Sequence, residues 1–495
     1  MPRALPVESL TKKQIAAELE RVQQRRAADA AYEAELICAM ADLTPDDIDP
    51  APDSPGGRRG SWAPDTQLPG VSEFFTAELA VVLNCGRGTA AVRARRAWTF
   101  RESLPATRAA MAAGELDDRR GNVLADVLAD ADPTIAWVVE ARLLPEAAGL
   151  SLTRLKEQAV ALLLELDADA VDRRRRVAKA AADVRTYPSC QDGMGVLNAD
   201  LPAEEAAACY AMVDALATML KADGDPRPIG ELRAAVLSML IRRPADHGLD
   251  GATITLTVTA ALDALAGVST EPGSINGLPI TAGHLRELLR RAGALGLTAP
   301  DNGSLTFALT DDDGALLAVL TPAQLEKLAR RGCADHADDV DCDCPVAGRP
   351  AATDAYEPTD AQQVFVKTRD RRCRFPNCGQ RVGWADLDHV IPHACGGETS
   401  CENLCCLCRS HHRLKTFAPG WRFVMDDDGT LHVTTPSGVT RTTRPPGRIE
   451  HALATAAALY IHEPPPGDPP PFRRVRAGTA RALCPRYRAA VTTEG

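Results

Sequence analysis

The chain has 495 residues, of which 45% are hydrophobic and 25% charged, and a net charge of −11. That length accommodates about two to four domains with cores of their own, and that composition is ordinary for a soluble globular protein. The longest apolar runs, such as Ala159 to Leu164, are too short to cross a bilayer, and the acidic balance argues against a chain coated with nucleic acid along its whole length.

The first twenty residues, MPRALPVESLTKKQIAAELE, lack an apolar signal core and run directly into a charged helical pattern, which predicts a cytoplasmic protein. Residues 1–43 are read as an N-terminal helix: Thr11 to Leu43 is rich in Ala, Glu and Arg, contains no Pro or Gly, and repeats Ile15, Leu19, Val22, Leu36 and Met40 on recurring faces. Residues 44–70, dense in Pro, Asp and Gly, read as a linker. Residues 71–331 read as a mainly helical domain with a few strands. Helix boundaries are expected at Ser103-Leu104-Pro105, Asp132-Pro133 and Ser151. The run Asp172 to Arg176 is basic but reads as a solvated helix face. Strands are expected at Gly195 to Leu201 and at Thr253 to Thr259, where residues alternate strictly, and a hairpin at Ser304 to Leu309 and Ala315 to Leu320.

Residues 332–358 form a Cys- and Asp-rich linker in which Cys333, His336, Cys342 and Cys344 offer a less standard zinc set. Helix Thr359 to Asp370 leads into the most informative segment, Cys373 to Lys415. Within it Asp388-His389 is followed after fourteen positions by Asn403, and Asn403 after nine by His412. Of the fifteen Cys in the chain, ten lie between Cys333 and Cys408, a clustering that points to metal ligation in a reducing compartment rather than to a disulfide framework. Residues 361–420 carry nine Lys/Arg against five Asp/Glu, a local positive balance suited to phosphates. Trp384 to Val390 is expected as a strand stopped by Pro392, Leu404 to Leu407 as a second strand, and Arg409 to Phe417 as a helix. Residues 419–462 are read as a β-hairpin and C-terminal helix, and 463–495 as a disordered Pro-rich and basic tail.

The Asp388-His389, Asn403 and His412 pattern resembles the HNH (ββα-metal) endonuclease superfamily. Residues 10 to 330 are similar, through Leu201-Pro202-Ala203-Glu204-Glu205 and Asp223-Gly224-Asp225-Pro226-Arg227, to the helical domain of unknown function that actinobacterial HNH proteins carry ahead of the nuclease. The resemblance implies an α+β fold: a mainly α-helical N-terminal domain followed, at residues 359–418, by a small zinc-stabilised ββα-metal nuclease domain. It implies hydrolysis of double-stranded DNA by a one-metal mechanism with His389 as general base, Asn403 as loop brace, and Asp388 and His412 as ligands of Mg²⁺ or Mn²⁺. Asp386 assists that metal or only solvates it. Cys373, Cys378, Cys408 and His411 are expected to hold a structural Zn²⁺, with His411 rather than His412 given to zinc because the spacing pattern ends on His412. Arg413 and Lys415 are expected to meet phosphates. The competing expectation is a catalytically silent, zinc-stabilised nucleic-acid-binding protein. No membrane partner is expected, and the N-terminal domain is left open to a protein partner or self-association.

Overall fold

A computed structural model of the chain describes residues 7–51, 54, 56–57, 68–180, 182–189, 191, 193–241, 258–259, 270, 272–275, 278–291, 306–310, 315–322, 324 and 348–446. It combines helices with small sheets and is mostly helical in its N-terminal region. The described residues fall into two compact units, one drawn from Met1–Arg176, Leu309–Val319 and Ala347–Leu453, the other from Val177–Ala308 and Leu320–Val346. Among them no helix is long and apolar enough to cross a membrane.

In the first unit, α1 (Lys12–Asp42) starts at a capping box in which Thr11 and Gln14 satisfy each other's backbone N–H. Its buried face is small: Ala27, Ala31, Ala34 and Ala41 line it with Ile37 and Cys38. Ala90, Ala94 and Ala97 of α3 (Arg87–Glu102) join the same core, and small side chains let helix backbones approach closely. Helices α4 (Pro105–Ala112), α5 (Asp118–Leu128), α6 (Pro133–Ala147) and α7 (Leu152–Leu166) complete the bundle. Proline in the first turn of α4 and α6, and the N-caps Asp132 and Ser151, set the starts where the sequence expects them, and Asp117 caps α5. A buried carboxylate, Glu140 on α6, accepts the Thr107 N–H at 2.6 Å, placing negative charge at the N-terminus of α4.

The short helix α2 (Phe75–Val82) buries most of its residues, Glu78 among them, and its packing explains why. Phe75, Leu79 and Ala80 belong to the bundle core. Phe74, Ala77 and Val81 belong to a second core, shared with Cys373, Phe375, Cys405, Leu407, Leu414, Leu431 and Val433 from the far end of the chain. The segment 71–84 is therefore common to the bundle and to the Cys-rich module. From the sequence these divide into separate domains, because nothing local distinguishes a helix buried on one side from one buried on two.

Helix α8 (Ala168–Ala180) follows the bundle. In the second unit β1 (Val184–Pro188) and β2 (Gly195–Ala199) pair antiparallel, with Val184 opposite Ala199. Helices α9 (Ala203–Ala222) and α10 (Ile229–Ile241) pack through Ala217, Leu232 and Val236. Strands β3 (Val258–Thr259), β4 (Gly273–Ile275) and β5 (Leu278–Ile280) make an antiparallel sheet, followed by α11 (Ala282–Arg291). Strands β6 (Phe307–Thr310) and β7 (Leu316–Leu320) come next in the chain, where Leu309–Val319 returns to the first unit. Most of the expected strand 253–259, the zinc candidates Cys333, His336, Cys342 and Cys344, the C-terminal helix and the tail lie outside the described residues.

The C-terminal part of the first unit begins with α12 (Asp360–Asp370), capped by Thr359 and Gln362. It ends on a buried ion network: Arg369 Nε lies 2.8 Å and Arg374 Nη1 2.9 Å from Asp370 Oδ1, and the Cys406 N–H donates to Oδ2 at 2.8 Å. Burial alone would raise the Asp370 carboxyl, but the two guanidiniums outweigh it and hold it below the usual carboxylate range. Strands β8 (Ala385–His389) and β9 (Leu404–Cys408) pair antiparallel, Asp388 opposite Cys405, and run directly into α13 (Arg409–Phe417). The expected hairpin is instead a three-stranded sheet, β10 (Arg422–Met425), β11 (Leu431–Thr434) and β12 (Thr440–Thr443). Strand β12, Thr-Arg-Thr-Thr, has no apolar alternation to announce it. Arg441 Nε holds it against α2, donating to the Val81 carbonyl at 3.1 Å.

Candidate metal centre

The first cluster is assembled from three turns of backbone. Arg371 ends α12 in the left-handed conformation (φ 54°), and the chain doubles back so that Cys373 N–H donates to the Gln380 carbonyl at 2.8 Å. Cys378 follows in a turn closed by its N–H on the Phe375 carbonyl at 3.1 Å. Cys408 is the N-cap of α13, and His411 lies in that helix's first turn. The ligand atoms of Cys373, Cys378, Cys408 and His411 all lie within 4.8 Å of one another. His411 Nδ1 is 3.2 Å from Cys408 Sγ and 3.4 Å from Cys373 Sγ.

Phe375 stacks on the His411 ring at 3.8 Å and 7°, fixing its plane, while no hydrogen bond reaches the buried Nε2. Cys373 and Cys378 turn their thiols toward Cys408, so Cys408 is drawn far below the ordinary thiol range while the other two are pushed up. Three Cys and one His in this geometry could hold a metal ion such as zinc, whose charge allows all the thiols to ionise.

The second cluster lies on β8 and α13. Asp386 and Asp388 are two apart and share a strand face. His412 is held between them, Nδ1 3.1 Å from Asp386 Oδ2 and Nε2 3.5 Å from Asp388 Oδ1. Lys415, one helical turn on, places Nζ 3.0 Å from Asp388 Oδ2 and donates to the His389 carbonyl at 2.7 Å. His411 and His412, adjacent in sequence, thus serve different clusters: one imidazole faces the thiols, the other the carboxylates.

His389 is 6% exposed. Its Nε2 lies 2.8 Å from Thr399 Oγ1, and Tyr356 stacks on its ring at 5.5 Å and 22°. Burial lowers its pKa, and the nearby Asp388 charge opposes that shift only in part. Thr399 is itself clamped: its carbonyl accepts from Thr353 N at 3.0 Å and from Gln362 Nε2 at 2.8 Å. Neither Thr399 nor Tyr356 stands out in the sequence, since neither residue type is a characteristic ligand or base. The only local signal is the position of Thr399 between the Asp-His pair and Asn403.

Asn403 braces the loop between the strands. Its Oδ1 accepts the Ile391 N–H at 2.8 Å, and its Nδ2 donates to the Ile391 and Glu398 carbonyls at 3.0 and 2.8 Å. Gly397 is required beneath it, because a Cβ there would stand 1.9 Å from the Ile391 carbonyl oxygen and 2.8 Å from Asn403 Nδ2.

The positive balance of this segment is partly internal, which differs from the sequence expectation. Arg369 and Arg374 face Asp370, Lys415 faces Asp388, and Arg413 pairs with Glu73. The Arg413 and Lys415 side chains are only 12% and 9% exposed. The structure brings Arg413 to an acid rather than to the surface, and it brings Lys415 to the site itself.

Among known proteins, the model of a family described as "Domain of unknown function (DUF222)" matches residues 16–305, a stretch that ends before both clusters. The uncharacterized protein Rv3776 of Mycobacterium tuberculosis (strain ATCC 25618 / H37Rv) is 30% identical over 512 residues, covering 96% of this chain and 90% of that relative. The uncharacterized proteins MT2160 (strain CDC 1551 / Oshkosh) and Rv2100 (strain ATCC 25618 / H37Rv) of the same species are each 46% identical over 102 residues, 21% of this chain and 18% of theirs. No solved structure matches.

Proposed function

The chain belongs to the DUF222 family, described only as a domain of unknown function, and from the residues beyond that match we propose an HNH-type endonuclease that hydrolyses DNA phosphodiester bonds. One observation carries this reading. A buried imidazole, His389, with one nitrogen engaged by Thr399, directly follows a carboxylate, Asp388, that faces a second imidazole, His412, through its Oδ1. A purely structural zinc module needs no such second set.

The chemistry follows from the side chains. Burial favours the neutral form of His389 at ordinary pH, and neutral imidazole is the form that accepts a proton. With Nε2–H donated to Thr399 Oγ1, Nδ1 keeps the lone pair that takes the proton of the attacking water. Asp388 and His412 form the donor set for a divalent cation. His412 Nε2 faces Asp388 Oδ1 at 3.5 Å, while Lys415 Nζ stands 3.0 Å from Oδ2, and an oxygen-nitrogen pair of the first kind suits Mg²⁺ or Mn²⁺. Such an ion, when bound, supplies charge stabilisation at the phosphate and the leaving oxygen. Asn403 holds the loop, and Cys373, Cys378, Cys408 and His411 hold a structural zinc that ties α13 to the turn after α12.

A second reading, a zinc-stabilised nucleic-acid-binding protein without cleavage, is favoured by the contact of Lys415 with Asp388, which already neutralises the carboxylate. Plasmid DNA separates the two. Purified full-length protein with Mg²⁺ or Mn²⁺ is expected to nick or cut it, and His389→Ala is expected to lose roughly 10²–10⁴-fold in rate while keeping its zinc. Equal cleavage by that variant overturns the mechanism, and DNA binding without cleavage under either metal favours the silent module.

A further inference from the structure

We propose that Lys415 is a tethered counter-ion that competes with the divalent cation for Asp388 and thereby sets the metal affinity of the site; this rests on the nuclease reading above. A lysine near the surface ordinarily extends its ammonium into water, yet this side chain is only 9% exposed and reaches a carboxylate that is only 10% exposed. Two anchors hold it. Nζ is 3.0 Å from Asp388 Oδ2 and donates to the His389 carbonyl at 2.7 Å, so the ammonium bridges the two residues of the Asp-His pair.

The helix explains the placement. His412 and Lys415 are three residues apart on α13 and present their ends to the two oxygens of the same carboxylate, Nε2 to Oδ1 at 3.5 Å and Nζ to Oδ2. The lysine contact has no hydrogen-bond geometry at Oδ2; it is an ion pair, held by charge and by the carbonyl anchor. A divalent cation at Asp388 and His412 meets this ammonium at close range, beside two charged side chains that are themselves largely withdrawn from water. Like charges repel there more strongly than at an exposed surface. Metal entry then either displaces Lys415 or proceeds against its charge, and in both cases the lysine weakens binding.

The test is Mn²⁺ titration of the full-length protein, with its zinc retained, followed by calorimetry or by the loss of the free Mn²⁺ resonance. Lys415→Met is expected to bind Mn²⁺ about tenfold more tightly than wild type, while Lys415→Arg, which keeps the charge, stays near wild type. Should Lys415→Met fail to fold, Lys415→Gln makes the same comparison with a neutral polar end. Equal or weaker Mn²⁺ binding by the neutral variant overturns the proposal. Asp388→Asn separates the two layers: if it binds Mn²⁺ as wild type does, the metal reading of this site fails, whatever Lys415 does.

Discussion

Arg413, on the helix that also carries His411 and His412, pairs with Glu73, which precedes it by 340 residues and adjoins the start of α2. The second guanidinium nitrogen reaches Glu73 Oε1 at 2.6 Å, and the Glu73 side chain is 4% exposed. The guanidinium also lies over the Phe74 ring at 5.5 Å. This contact pins the helix bearing the candidate site to the N-terminal bundle, in the same region where Phe74, Ala77 and Val81 enter the core of the Cys-rich module.

Removing only one side of that pair leaves a buried charge without its main partner. Glu73→Gln is expected to destabilise the first unit by roughly 3 kcal/mol in denaturant unfolding, and Arg413→Met by a similar amount. Combined, the two substitutions are expected to cost less than their sum, because neither charge is then stranded. Strictly additive losses would remove the pair from any account of how bundle and module are joined.

How much of this was legible beforehand depended on how local each relationship is. The thiols and His411 are brought together by short turns and by the first turn of α13, so spacing along the chain was sufficient to group them. The different surroundings of His411 and His412 follow from helix geometry for the same reason. Arg413 looks in sequence like a phosphate contact, and Arg369 and Arg374 add to the same local positive balance; the acidic partners of all three are supplied by folding. Glu73 is far away in sequence, and Asp370 is adjacent but recognisable as a hub only once β9 is seen to donate to it. The second apolar face of α2 and the polar strand β12 were hidden likewise, since each depends on a surface made elsewhere.

The thiol cluster yields a prediction that does not depend on catalysis. Cys408→Ser removes the sulfur toward which both other thiols and His411 are turned. It is expected to abolish bound zinc, measured by elemental analysis, and to lower Tm by about 10 °C, because metal affinity in such a site is folding free energy. Chelation of the wild-type protein is expected to do the same, reversibly on adding Zn²⁺. A chelated protein with unchanged Tm is incompatible with a structural metal here.

Thr399 is expected to act through His389. Thr399→Val keeps shape but leaves Nε2 without its partner at 2.8 Å, and is expected to lower kcat about tenfold with little change in KM. Thr399→Ser, which restores the hydroxyl, is expected to recover most of the rate. A loss shared equally by both variants would mark Thr399 as a packing residue, held in place by its carbonyl contacts to Thr353 and Gln362.

Asp370 gives the pH dependence of stability. Its carboxyl is fully buried, accepts the Cys406 N–H and faces Arg369 and Arg374; despite the opposing effect of burial, its pKa in the folded protein is below the unfolded value of about 3.9. A depressed folded pKa means that the stabilisation is fully present above the unfolded value and disappears as pH falls through the folded one. Wild type is therefore expected to lose stability on acidification below about pH 4, in the window between those two values. Asp370→Asn is expected to be less stable by roughly 3–5 kcal/mol at pH 7, since two buried guanidiniums lose their anion. That deficit is expected to narrow as acid protonates the wild-type carboxyl. Denaturant midpoints of both proteins from pH 7 down to pH 3 measure the difference directly. A gap that stays constant over that range would mean that Asp370 contributes through shape and hydrogen bonding rather than through its charge.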